Sequence, residues 1–385
     1  MKISISKLIA AGFLILFLNN ELNSQNPIKM KSTLKEVYKD HFLIGTAVTP
    51  ASTSGRDKSV QNIVTSHFNS ITAENVMKAE VINPKPGEYN FEGADNFVDF
   101  GKKNNMHIVG HTLVWHNQCP DWFFMHEDGK PKTKEEVKQR LHDYIKEVAG
   151  RYEGKVDAWD VVNEVIGEDG NYRPTKWVNA IGNGDELVKL AFKYAAQYSP
   201  TSELYYNDFN AWRPEKVQGI VKMVKMLQKE GIKIDGIGIQ GHWGLNYPEN
   251  KYIEDAIDAY AALGVKVMIT ELDVDVLPVT KEGQIIGTGM LHPQFQLPEF
   301  KKFLDPYRNG LPIEVEKAQA KRYADLFKIF LKKSDKIHRV TTWGVHDGMS
   351  WKNDYPIDKR INYPLLWSRE NNPKAALIEI LKLKK

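Results

Sequence analysis

Two glutamates close apolar runs in this chain. Residues 156–164 read VDAWDVVNE and residues 265–273 read VKVMITELD, with Glu164 and Glu271 near the ends. A strand buried on both faces reads as such a run. A carboxylate at its carboxyl end lies where a parallel α/β barrel carries its chemistry. Two acids facing each other across a cleft can split a glycosidic bond, one protonating the leaving oxygen while the other attacks or activates water. One glutamate at a strand end is usually a solvated rim charge; two, each behind an apolar run, favour the catalytic reading.

More polar and aromatic groups gather at the ends of other apolar runs. They are Glu74, Asn75 and Lys78; His111, Trp115 and Gln118; Asn163; Asn207; Gln240, His242 and Trp243; Asp273; and Trp343, His346, Asp347 and Trp351. Glu74 and Lys78 also have the spacing of a surface i, i+4 ion pair. His346 and Asp347 fit a structural role as well as a substrate contact. His107 and His111 share a strand face, but a barrel metal site draws further ligands from other strands, such as an H-x-H on the first. No such motif is present, so neither a metal nor another cofactor is expected.

Eight strand-then-helix units must position these groups. Strands are expected at 41–48, 68–75, 107–115, 156–164, 203–210, 236–244, 266–273 and 337–347. The helices between them include 133–152, whose apolar residues Val137, Leu141, Ile145 and Val148 recur at helical spacing. Eight such units are the count of a (β/α)₈ TIM barrel of the α/β class. An open doubly wound sheet commonly carries a Gly-rich phosphate loop after its first strand, and TAVTPAS offers none. With no Pro-, Ser- or Gly-rich linker, residues 26–385 are read as a single catalytic domain. The loop 275–313 is its main embellishment.

Lys2 and Lys7 precede the apolar run LIAAGFLILFL, which suits the core of a signal peptide over residues 1–25 and is too short to span a bilayer. Export to the periplasm or the medium is the expectation, with no membrane attachment once the signal is removed. The single cysteine, Cys119, excludes an intrachain disulfide and reads as an inert thiol. A formal net charge of +3 without a basic block argues against nucleic acid as a partner. Aromatic residues reach 11%, with nine tryptophans, a content suited to core packing or to stacking on sugar rings.

The segments TAENVMK (72–78), GHTLVWHNQ (110–118), WDVVNE (159–164), NDFN (207–210), QGH (240–242), ITELD (269–273) and WGVHDGMSW (343–351) fall one per strand end. In this order the chain resembles the glycoside hydrolase family 10 endo-β-1,4-xylanases over nearly all of its length after the leader. The resemblance implies retaining hydrolysis within xylan chains and their oligosaccharides, by a protein expected to be a monomer. Glu164 would be the general acid/base and Glu271 the nucleophile, with Asn163 on the 2-hydroxyl of the attacked sugar. His242 would lie between Glu271 and Asp273. Glu74, Asn75, Lys78, His111, Trp115 and Gln118 would line the glycone side. Gln240, Trp343 and Trp351 would close over the cleavage point, and Asn207 would contact the sugar there. Of the two acids, Glu164 is expected to be the protonated one. Phe209 stands where the family usually has tyrosine, which removes a hydroxyl on the leaving-group side. A β-1,4-glucanase on the same barrel would use the same two acids, with Glu74 and Lys78 expected to hinder a hydroxymethyl group. A non-catalytic carbohydrate-binding protein would keep the tryptophans and lose an acid.

With a nucleophilic glutamate the anomeric carbon is inverted twice, once by the glutamate and once by the water that displaces it. The product first seen by proton NMR during xylo-oligosaccharide hydrolysis is therefore expected to be the β-anomer; an initial α-anomer contradicts retention.

Overall fold

All pairings between the nine strands described are parallel, and the sheet they form closes on itself. The computed structural model describes residues 32–277 and 297–383. Its strands are β1 (Leu43–Val48), β2 (Ser70–Ala73), β3 (His107–Val114), β4 (Ala158–Asn163), β5 (Glu203–Asp208), β6 (Gly236–Ile239), β7 (His242–Gly244), β8 (Lys266–Asp275) and β9 (Ile337–Thr342). Strands β1 to β6 are neighbours in chain order; β6 pairs with β8, β8 with β9, and β9 with β1. Strand β7 pairs with β8 alone and prolongs β6 beyond Gln240 and Gly241. The barrel therefore has eight staves, the expected (β/α)₈ architecture.

The expected sixth strand, 236–244, is thus two pieces. Gly241 has φ +86°, a left-handed conformation open to glycine at little cost, and it turns the chain between them. The eighth expected strand stops at Thr342, and 3₁₀ turns follow at Asp347–Met349 and Trp351–Asp354. In the other direction β8 runs past Glu271 to Asp275. The signal-peptide expectation and residues 278–296 of the long loop lie outside the described residues. Within that loop's described part is a helix, Pro298–Leu304.

The outer helices form for local reasons and are held by packing. Lys134–Arg151 begins with a capping box: the Thr133 hydroxyl accepts from the Glu136 amide, and the Glu136 carboxylate accepts from the Thr133 amide. Its buried stripe is Val137, Leu141, Tyr144, Ile145, Val148 and Ala149. Inside the barrel, Val109, Ala158, Tyr205 and Met268 form one buried cluster. Close approach is required at Gly110, where a Cβ would lie 2.3 Å from the ring of Trp159.

Trp159 is fully buried and cannot withdraw. Gly110→Ala should therefore cost about 1–3 kcal/mol through overpacking. Differential scanning calorimetry checks this, and an unchanged melting temperature contradicts it.

Candidate active site

Glu164 follows the last residue of β4 and takes φ +60°, a left-handed value uncommon for a non-glycine residue. The turn is held by its amide, which donates to the Asn207 carbonyl at 2.9 Å. Its carboxylate is buried and occupied at both oxygens. Trp115 Nε1 donates to Oε2 at 2.8 Å, and Gln240 Nε2 donates to Oε1 at 2.9 Å.

Glu271 points from within β8 and is also buried. Asn207 Nδ2 donates to its Oε1 at 2.7 Å, while His242 Nε2 lies 3.1 Å from Oε2. Thr270 Oγ donates to Asn207 Oδ1 at 2.6 Å, which sets the amide so that its NH₂ faces Glu271 and Asn163. His242 Nδ1 lies 2.8 Å from Asp273 Oδ2, and the Trp351 indole N–H donates to that same oxygen at 3.1 Å. On β8, Glu271 and Asp273 are two residues apart and share a face, which is how one imidazole from β7 reaches both.

These groups line one cleft of about 580 Å³, together with Glu74, Asn75, Lys78, His111, Gln118, Trp343 and two residues absent from the expected set, Asn117 and Phe209. Asn207 and Asp273 stand behind its wall and act on it through Glu271 and His242. Lys78 does not form the surface pair with Glu74 that its spacing suggests. It is buried, donates to Asn75 Oδ1 (2.9 Å) and Gln118 Oε1 (2.7 Å), and lies over the Trp115 ring. Burial pushes the Lys78 ammonium down, opposed by the charges of Glu271, Glu74 and Glu164. Burial likewise raises the Glu74 carboxyl.

Other expectations resolve by burial. His111 Nδ1 meets Asp160 Oδ2 at 2.8 Å, and its ring packs edge-on to Trp343. Trp243 faces Phe330 in the core, away from the cleft. His346 accepts from the Gly348 amide, and Asp347 pairs with Lys374 at 3.0 Å; both are structural. Burial pushes the Cys119 thiol up to about 12, so it is inert. Phe209 is buried between the Lys216 ammonium, 3.8 Å from its ring centre, and the Arg173 guanidinium at 4.8 Å.

The electrostatics correct one expectation. Burial pushes the Glu164 carboxyl up, but the neighbouring His116, the donors Gln240 and Trp115, and Arg173 together hold it below its ordinary value. His242 moves the other way. Burial disfavours its cation, yet Asp273 and Glu271 overcome this and raise it to about 9. The imidazole is thus a cation between two carboxylates at neutral pH.

The sequence profile of glycosyl hydrolase family 10 matches residues 33–383. The chain belongs to this family. It is 41% identical over 351 residues to endo-1,4-beta-xylanase A of Xylanibacter ruminicola, covering 91% of this chain and 93% of that one. To the beta-1,4-xylanase of Dictyoglomus thermophilum it is 41% identical over 352 residues, covering 91% and 90%. Among solved structures, a GH10 endoxylanase retrieved from a sugarcane soil metagenome superposes with TM-score 0.84 at 42% identity, covering 92% of this chain and all of that one. A mutant enzyme in complex with xylotriose superposes with TM-score 0.80 at 38% identity, over 91% and 99%. The protein is a glycoside hydrolase.

His116, Arg173, Thr270 and Asp160 act on the site without signalling it in sequence. His116 had one available hint, its place beside Trp115.

The His242 shift has a defined sign. Its folded value lies above the ordinary 6.5, so the stability it contributes is complete below that pH and is lost as pH rises through about 9. A ¹⁵N NMR titration of the ring should give a midpoint near 9. In Asp273→Asn the midpoint should fall by about 1–3 units, the effect of one adjacent carboxylate. A midpoint unmoved by that change contradicts the pairing.

Proposed function

We propose that this family 10 hydrolase is an endo-β-1,4-xylanase acting with retention, with Glu271 as nucleophile and Glu164 as general acid/base. The observation that carries the reading is the unlike surroundings of two buried glutamates in one cleft. Glu271 has one oxygen on an amide donor, Asn207, and the other on the His242 cation. That arrangement favours an ionised, aimed carboxylate. Glu164 receives only neutral hydrogen-bond donors, Trp115 and Gln240. Substrate that covers the cleft removes water from Glu164, and desolvation beside ionised Glu271 raises its affinity for a proton.

In the first step Glu271 attacks the anomeric carbon while Glu164 gives its proton to the departing oxygen. A glycosyl ester results, and the Glu271 charge disappears. Glu164, now a carboxylate, takes a proton from water as that water attacks the anomeric carbon, breaking its bond to Glu271 and releasing Glu271 as a carboxylate. Asn163 serves the 2-hydroxyl, while Asn207, expected to contact the sugar, is buried behind the cleft wall and holds Glu271 instead. Glu74, Asn75, Lys78, His111, Trp115 and Gln118 bind the glycone, while Gln240, Trp343 and Trp351 enclose the cleavage point. The substrates are xylan and xylo-oligosaccharides. A polymeric substrate accords with export, residues 1–25 acting as signal peptide and the rest as a monomeric catalytic domain.

The roles separate by leaving group. Glu271→Ala should abolish turnover of xylan and of aryl xylosides alike. Glu164→Ala should slow xylan cleavage by about 10²–10⁴-fold. Formation of the glycosyl-enzyme from an aryl xyloside with an acidic phenol should be nearly unaffected. Steady-state and burst kinetics check this; equal losses on both substrates in both variants refute the assignment.

A further inference from the structure

Trp351 and Asp273 lie at the cleft, and the residue after Trp351 is a buried lysine for which the reaction above has no use. The Lys352 ammonium lies 3.6 Å from Asp273 Oδ1 and 3.5 Å from Asp275 Oδ2, and 5.1 Å from the centre of the Trp351 ring. Its side chain is 4% exposed, and those of Asp273 and Asp275 are 0% and 4% exposed. Asp273 Oδ1 receives no hydrogen bond, so Lys352 is the cation that meets it. The other oxygen of Asp273 carries both His242 and the Trp351 indole.

Charge balance gives this lysine its importance. Asp273 and Asp275 are two residues apart on β8 and share a face, so their charges repel in a water-poor interior. The groups facing them are His242 from β7, Lys352 from the 3₁₀ turn, Arg360 from the following loop at 3.7 Å from Asp275, and Glu271 further along β8. The phenols of Tyr323, Tyr355 and Tyr247 also approach this group. Lys78 also bears on Glu271, and Asp305 on Arg360, so the cation that Asp273 Oδ1 depends on is Lys352 alone among those facing it. Without Lys352 that buried oxygen would meet neither a hydrogen bond nor a cation, and a buried unpaired charge is strongly unfavourable.

We propose that Lys352 is a positioning residue for the hydrolytic reaction: it anchors the Asp273 carboxylate, and through that one group sets both the His242 imidazole on Glu271 and the Trp351 indole over the cleft. Lys352 touches no reacting atom. Its influence passes through Asp273, whose displacement would let the nucleophile's imidazole and a sugar-facing tryptophan move together. This inference rests on Glu271 being the nucleophile, as proposed above.

The test compares Lys352→Met, Lys352→Gln and Lys352→Arg in the full chain, with two readouts. The first is steady-state kinetics on an aryl β-xylobioside, where kcat is expected to fall about tenfold or more in the neutral variants. Even a 1 Å misplacement can cost about 10²-fold. The second is the ¹⁵N titration of His242, which needs no turnover. Displacement of Asp273 weakens its pairing with His242, so the His242 midpoint should fall in the neutral variants, and arginine should restore both kcat and midpoint. Wild-type kcat, or a lowered kcat with the His242 midpoint unmoved or raised, as loss of a nearby cation alone would raise it, overturns the proposal. Should methionine prevent folding, as seen by circular dichroism, the glutamine variant decides by the same criteria. If glutamine also prevents folding, arginine decides: a folded arginine variant with a wild-type His242 midpoint and kcat supports the proposal, and one with the midpoint displaced or kcat lost overturns it. If the wild-type protein cleaves no xyloside, the functional reading fails, while the titration still judges the Lys352–Asp273–His242 linkage.

Discussion

Burial of carboxylates at the rim of a closed sheet is the constraint from which this site follows. Glu164, Glu271, Asp273 and Asp275 are each less than a tenth exposed. A carboxylate removed from water is costly unless donors or cations replace its hydration. The polar residues of the cleft are those replacements. Asn207 and His242 serve Glu271, Trp115 and Gln240 serve Glu164, and Lys352 with Arg360 serves the acids below. Residues that meet the cost of burial also fix geometry, since each donor limits where a carboxylate oxygen can lie.

The two glutamates differ because their replacements differ. His242, paired with Asp273, faces one oxygen of Glu271, and the Asn207 amide faces the other. Glu164 is held by neutral hydrogen bonds from Trp115 and Gln240, with His116 and Arg173 nearby. Such a carboxylate is easier to convert to the acid when a ligand dries the cleft.

Much of the barrel is legible along the chain. The runs that become β3, β4 and β8 are apolar because both of their faces are covered, and their polar ends mark the rim. Helix 134–151 announces itself by a capping box and a 3.6-residue stripe. Harder to see is the break after Ile239, where Gly241 takes a left-handed conformation that its sequence neighbours do not announce. Lys78 illustrates the same limit. Its spacing from Glu74 suits a solvated helix pair, but the fold buries it against Gln118, 40 residues on. His346 and Asp347 look like rim groups by position, yet the return of the chain at Leu365 and Lys374 makes them structural.

Periodicity and residue type by themselves determine that this chain forms strand–helix units, that Glu164 and Glu271 end or interrupt apolar runs, and that no phosphate loop follows the first strand. Those properties depend on neighbours along the chain, where spacing alone says which face a side chain takes. Only the tertiary structure decides which donor meets which oxygen. That the His242 imidazole is raised, that the Glu164 carboxyl is lowered, and that Lys352 stands beside Asp273 all come from groups on different staves brought within a few ångströms. Coulomb and hydrogen-bond energies depend on distance through space, and barrel closure sets that distance without trace in the local pattern.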